Sequence, residues 1–130
     1  MQEKIDKLKL LKILFVEDEE DLIEIITDTL TKINANFLTA KNGKEALEIF
    51  EKESDIDVIV TDINMPVMNG ILMIEELRNN NNDIPIIVMS AHTESDYIER
   101  AKELGVDNYL LKPFDFIKFI DIVTTMDIKD

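Results

Sequence analysis

Residues 11–21 read Leu-Lys-Ile-Leu-Phe-Val-Glu-Asp-Glu-Glu-Asp: a short apolar run that ends abruptly on five acids. A near-continuous apolar run of this length fits a strand buried on both faces of a parallel sheet. Four further runs of the same kind are predicted over 36–40, 57–61, 85–89 and 107–110. Between them, apolar residues recur three and four apart. Leu22, Ile26, Leu30 and Ile33 form one stripe, and Ala46, Leu47 and Phe50 another. Ile74 and Leu77, then Ile98, Ala101 and Leu104, then Phe116, Ile120 and Val123 continue the series. Strand and helix alternate five times, which predicts one α/β domain with a parallel sheet and helices on both faces. The short, mixed run 36–40 reads as an edge strand.

Punctuation agrees. Gly43 and Gly70 precede predicted helices, Gly105 follows one, and Pro85 opens a strand where its missing N–H matters least. Residues 79–82 read as a loop. Residues 1–9 precede the first strand and are expected to be a tail, a short helix or the remnant of a linker, with the main domain over 10–128.

The chain has 130 residues, 28 acids against 14 Lys and Arg, a net charge of −14 and 45% hydrophobic residues. That length suits one domain, and the apolar content supports a core rather than disorder. The negative charge argues against direct binding of nucleic acid or an anionic membrane, which are held through Lys and Arg. With no cysteine and a single histidine, disulfides and Cys- or His-based zinc sites are excluded. No apolar run reaches membrane-spanning length and no signal-peptide core is present, so a cytoplasmic location is expected.

Ligands of open α/β sheets bind beyond the carboxyl ends of the strands. Strand one ends in the acid run from Glu17 to Asp21, strand three in Asp62-Ile63-Asn64-Met65-Pro66, strand four in Ser90-Ala91-His92 and strand five in Lys112-Pro113-Phe114. Glu17, Asp18 and Asp62 would crowd negative charge on one rim, a conflict that a hard divalent cation such as Mg²⁺ resolves. Lys112 and Ser90 then suit the rim to a phosphoryl group. A P-loop or dinucleotide fold would place glycines after strand one; acids stand there instead. For Glu19, Glu20 and Asp21, stabilisation of a helix start is explanation enough.

At these residues the chain resembles the CheY-like receiver domain of bacterial response regulators. The resemblance rests on Ile13-Leu14-Phe15-Val16-Glu17-Asp18-Glu19, Val60-Thr61-Asp62-Ile63-Asn64-Met65-Pro66, Ile87-Val88-Met89-Ser90-Ala91 and Tyr109-Leu110-Leu111-Lys112-Pro113-Phe114, in that order, and covers about 10–126. It implies a flavodoxin-like (βα)5 fold with strand order 2-1-3-4-5. It implies Asp62 as acceptor of a phosphoryl group from the phosphohistidine of a histidine kinase or phosphotransfer protein, in two-component signalling rather than as an enzyme with turnover. Glu17, Asp18, Asp62 and the Asn64 carbonyl would serve Mg²⁺, with Mn²⁺ able to substitute. Lys112, Ser90 and Ala91 would bind the phosphoryl group, and Ser90 and Tyr109 would be the switch pair. Asn64 and His92 would tune the phosphoryl lifetime, and Lys112-Pro113 would form a cis peptide bond.

The resemblance also implies a readout through the helix after strand four, strand five and the helix after strand five, to a downstream target or output domain. The last helix carries Phe116, Phe119, Ile120, Ile122, Val123 and Met126, more apolar surface than one face requires. Either it has a broad core face, or it presents a partner surface, such as that of a phosphorylation-dependent dimer. One departure from the family's commonest pattern is Glu17, where Asp is frequent, which leaves two expected contacts with the metal, direct or through water. Two alternatives remain open: a pseudo-receiver that binds partners without phosphorylation, and a Mg²⁺-dependent aspartyl-phosphate phosphatase. Against the second, strand one lacks that class's Asp-x-Asp pattern.

Overall fold

A computed structural model describes residues 1–90, 95–112 and 114–126. Helix α1 (Gln2–Lys9) comes first, followed by β1 (Lys12–Val16), α2 (Glu20–Lys32), β2 (Asn36–Ala40), α3 (Gly43–Lys52) and β3 (Val58–Asp62). Then come α4 (Gly70–Asn79), β4 (Ile86–Ser90), α5 (Ser95–Glu103), β5 (Asn108–Leu111) and α6 (Phe116–Thr125). The five strands form one parallel sheet in the order β2-β1-β3-β4-β5. The fold is thus the expected flavodoxin-like one, with β2 at an edge. Because α1 precedes the βα series, the expected readout helices after strands four and five are α5 and α6.

Alternation along the strands feeds two cores. Leu14, Val16, Ile59 and Val88 pack against Ala46 of α3, Met73 and Ile74 of α4 and Ala101 of α5. Ile13, Phe15, Val60, Ile87 and Met89 pack on the other face against Ile26 and Leu30 of α2 and Phe119, Ile120 and Val123 of α6. Leu8 of α1 is fully buried in this second core, with Ile5 packed beside it. Phe116, Ile122 and Met126 are partly buried against it, so much of the apolar surface of α6 and its C-cap faces this core, while Ile117 stays exposed. Residues 1–9, one of whose expected forms was a short helix, supply α1. Lys4 pairs with Asp121 of α6, and Lys7 donates to the carbonyl of Thr124 near the C-terminus of α6, where a cation is favoured.

Three strands are shifted one residue along the chain from the predicted runs: β3 ends at Asp62, β4 at Ser90 and β5 at Leu111. The reason is the ladder. Asp62 pairs with Met89 and Ser90 with Leu111, so hydrogen bonding continues past the last residue of each predicted run.

Among the described residues no helix is long and apolar enough to cross a membrane.

Candidate phosphoryl site

The strand register brings the acids together. Val16 pairs with Thr61, so the residues that follow, Glu17 and Asp62, stand side by side. The main-chain N–H of Glu17 still donates to the carbonyl of Ala40 at 2.9 Å, which carries the alternation one step beyond β1. By that alternation Glu17 follows Ile13 and Phe15, Asp62 follows Val58 and Val60, and Lys112 follows Leu110, all on the face covered by α2 and α6. Three charged residues from three strands therefore meet at one rim.

Glu17 is 1% exposed and Asp62 3% exposed. Glu17 Oε2 accepts from the main-chain N–H groups of Asp18 (3.0 Å) and Glu19 (3.1 Å). Asp62 Oδ1 accepts from the N–H of Ile63 at 2.8 Å. The Lys112 ammonium lies 2.8 Å from Asp62 Oδ2 and 3.5 Å from Glu17 Oε1. Glu17 Oε1 is buried with no hydrogen-bond partner. Carboxylate oxygens of Glu17, Asp18 and Asp62 all lie within 4.8 Å of one another. Burial pushes the Glu17 carboxyl up to about 7, and the charge of Asp62 adds to the rise, against the lowering by the Glu19 N–H and Lys112. Burial opposes the charge on Lys112, yet its hydrogen bond to Asp62 and the fields of Asp62, Glu17 and Glu19 outweigh that and raise its pKa.

Ser90 is buried at the end of β4, and its carbonyl accepts from the N–H of Lys112 at 2.9 Å. Tyr109 pairs with Val88, two residues before Ser90, so Tyr109 and Ser90 share the opposite face of the sheet. Tyr109 is 45% exposed. Asn64 is exposed in the loop after β3. Ala91, His92 and Pro113 lie outside the described residues, and the expected Lys112-Pro113 cis bond lies there with them.

Two features of the site were not singled out as functional in the sequence. Glu19, read there as a helix-start acid, is the N-cap residue of α2, and its carboxylate also reaches 3.9 Å from Lys112. Gly70 lets α4 begin against the strand end that carries Asp62. A Cβ at Gly70 would stand 2.2 Å from the Asp62 carbonyl oxygen. The Gly70 N–H donates to the Ile63 carbonyl at 2.9 Å, tying α4 to the residue after Asp62. A helix-opening glycine beside the motif was the available signal.

Residues 13–124 match the family described as "Response regulator receiver domain". A chemotaxis protein CheY homolog of Campylobacter jejuni is 36% identical over 107 residues, covering 80% of this chain and 82% of that protein. The transcriptional regulatory protein PrrA of Mycobacterium tuberculosis is 38% identical over 103 residues, 79% of this chain but 44% of PrrA. The crystal structure of a response regulator receiver protein from Pseudomonas putida superposes with a TM-score of 0.82 at 26% identity, covering 89% of this chain and 97% of that one. The chain belongs to the response regulator receiver domain family, the CheY-like domains of two-component systems.

Proposed function

We infer that this chain is a phospho-accepting switch, in which Asp62 takes a phosphoryl group from the phosphohistidine of a histidine kinase or phosphotransfer protein. The observation that carries this reading is the Lys112 ammonium 2.8 Å from a carboxylate oxygen of the buried Asp62, beside two further acids. That donor set fits a hard divalent cation: three carboxylates converge, and a buried oxygen of Glu17 lacks a hydrogen bond. Asp18, Asp62 and the Asn64 carbonyl would hold Mg²⁺ or Mn²⁺, with Glu17 helping directly or through water. When bound, the cation neutralises charge on the phosphoryl oxygens.

The chain's own residues do the rest by position and charge. The N–H of Ile63 and the ammonium of Lys112 fix the Asp62 carboxylate from either side. An Asp62 oxygen forms the new bond to phosphorus as the P–N bond of the phosphohistidine breaks and its electron pair returns to the imidazole. Lys112 lowers the repulsion between the two anions and passes from the carboxylate to a phosphoryl oxygen. The Ser90 hydroxyl donates to another phosphoryl oxygen, and its displacement leaves room for Tyr109, on the same face, to turn inward. One covalent event thereby biases a two-state element in α5, β5 and α6, the surface offered to a downstream protein or output domain.

The test is intact mass after incubation with Mg²⁺ and a small phosphodonor. One added phosphoryl group is expected, absent in Asp62→Asn and in the presence of a chelator. An unmodified mass in every condition would sink the reading.

A further inference from the structure

The phosphoryl rim uses the carboxyl ends of the strands. At the opposite end of the sheet, two cavities adjoin. One, of about 370 Å³, lies below the starts of β3 and β4, between Phe50, Ile56, Ile84 and Pro85. The other, of about 360 Å³, lies between α3 and α4 over Leu47, Phe50 and Leu77. They share Phe50 and Asn82, so they form one trough with two pockets, its floor part apolar and part polar through Ser54, Asn80 and Asn82.

The walls of the trough are of one charge. Asp57 and Asp83 line the first pocket, Glu51 and Glu76 the second, and neither pocket has a Lys or Arg among its lining residues. Among the described residues none of these four acids belongs to an ion pair. Two nearby cations, Lys12 and Arg78, direct their donors elsewhere. Lys12 pairs with Glu53 and Asp55, and its main-chain N–H is what Asp57 accepts. Arg78, which feels the charge of Asp83, points its donors at the carbonyls of Leu104, Asn82 and Ile84.

A partly apolar floor with two pockets, walled by four acids outside any ion pair, complements a basic amphipathic segment. We propose that this trough is a docking site for such a segment of a partner protein, two apolar side chains filling the pockets and Lys or Arg side chains facing Glu51, Glu76 and Asp83. The site lies at the far end of the sheet from Asp62, so partner binding there and phosphoryl acceptance use separate surfaces.

The test is a titration of ¹⁵N-labelled protein, in the full chain, with a short helical leucine/lysine peptide and with its leucine/glutamate counterpart. Saturable shifts centred on Leu47, Phe50, Glu51, Leu77 and Asn82 are expected with the lysine peptide only. Glu51→Lys combined with Glu76→Lys is expected to weaken that binding about tenfold or more, with the remaining spectrum unchanged. If that pair perturbs the fold, the neutral pair Glu51→Gln and Glu76→Gln should weaken binding in the same direction. Shifts centred on the phosphoryl rim or the exposed surface of β5 and α6, shifts spread over the whole acidic surface, or binding indifferent to both variant pairs would overturn the proposal.

Discussion

Lys112, just beyond the end of β5, holds its ammonium 2.8 Å from Oδ2 of Asp62 at the end of β3, although β4 lies between those strands. The contact joins residues 50 apart in sequence and puts the cation where three acids face one another. Lys112→Ala removes a charge-assisted hydrogen bond, worth about 1.5–3 kcal/mol, and leaves the acids less compensated. Phosphorylation of this variant by a small donor should be slower by about tenfold or more, while Asp62 remains the modified residue. Rates from intact-mass time courses read the effect.

The Glu17 carboxyl at about 7 predicts a pH-dependent stability. Its folded-state pKa exceeds the unfolded value of 4.5, so the folded state binds the proton more tightly. The stability this contributes is present at low pH and is lost as pH rises from about 4.5 through 7, on the order of 3 kcal/mol in all. Glu17→Gln should flatten that fall in urea titrations between pH 5 and 8. Because the ionised form is the better ligand, added Mg²⁺ should raise Tm more at pH 8 than at pH 6. An equal Mg²⁺ effect at both pH values would count against Glu17 at the metal.

Gly70 is required by a close approach. Any side chain meets the Asp62 carbonyl at 2.2 Å, and that atom is backbone that cannot swing aside. Gly70→Ala should cost about 3 kcal/mol, the upper end for overpacking, and should also slow phosphorylation, since the strand end must move. Urea denaturation and the mass assay check the two effects separately.

Helix α1 lies outside residues 13–124, yet Leu8 is fully buried in the second core. Leu8→Ala should cost about 2–5 kcal/mol. Lys4→Ala removes only an ion pair between half-exposed partners and should cost no more than about 1 kcal/mol. Denaturation midpoints that rank these two the other way would mean that charge rather than burial holds α1 in place.

Much of this arrangement was readable from residue order. The runs ending in Glu17, Asp62, Ser90 and Lys112 are apolar because both faces of the sheet are covered, and their ends mark the rim. What periodicity misses is where hydrogen bonding stops: Asp62 and Ser90 are polar but still paired in the ladder, so β3 and β4 end one residue later than the apolar runs indicate. The docking of α1 was equally invisible, since eight residues carrying three lysines acquire their place only from contacts with α6, 117 positions away. The raised pKa of Glu17 and the reach of Glu19 toward Lys112 likewise depend on burial and on neighbours brought together by folding.

The most direct test of the account is to phosphorylate the chain with a small donor and Mg²⁺, trap the acyl phosphate with borohydride, and map the peptides. An acyl phosphate on Asp62 is reduced to homoserine, so homoserine at position 62 alone is the predicted result. Homoserine at Asp18, 5-hydroxynorvaline (the product of a reduced glutamyl phosphate) at Glu17, or no reduced residue anywhere after demonstrable mass gain, would contradict it.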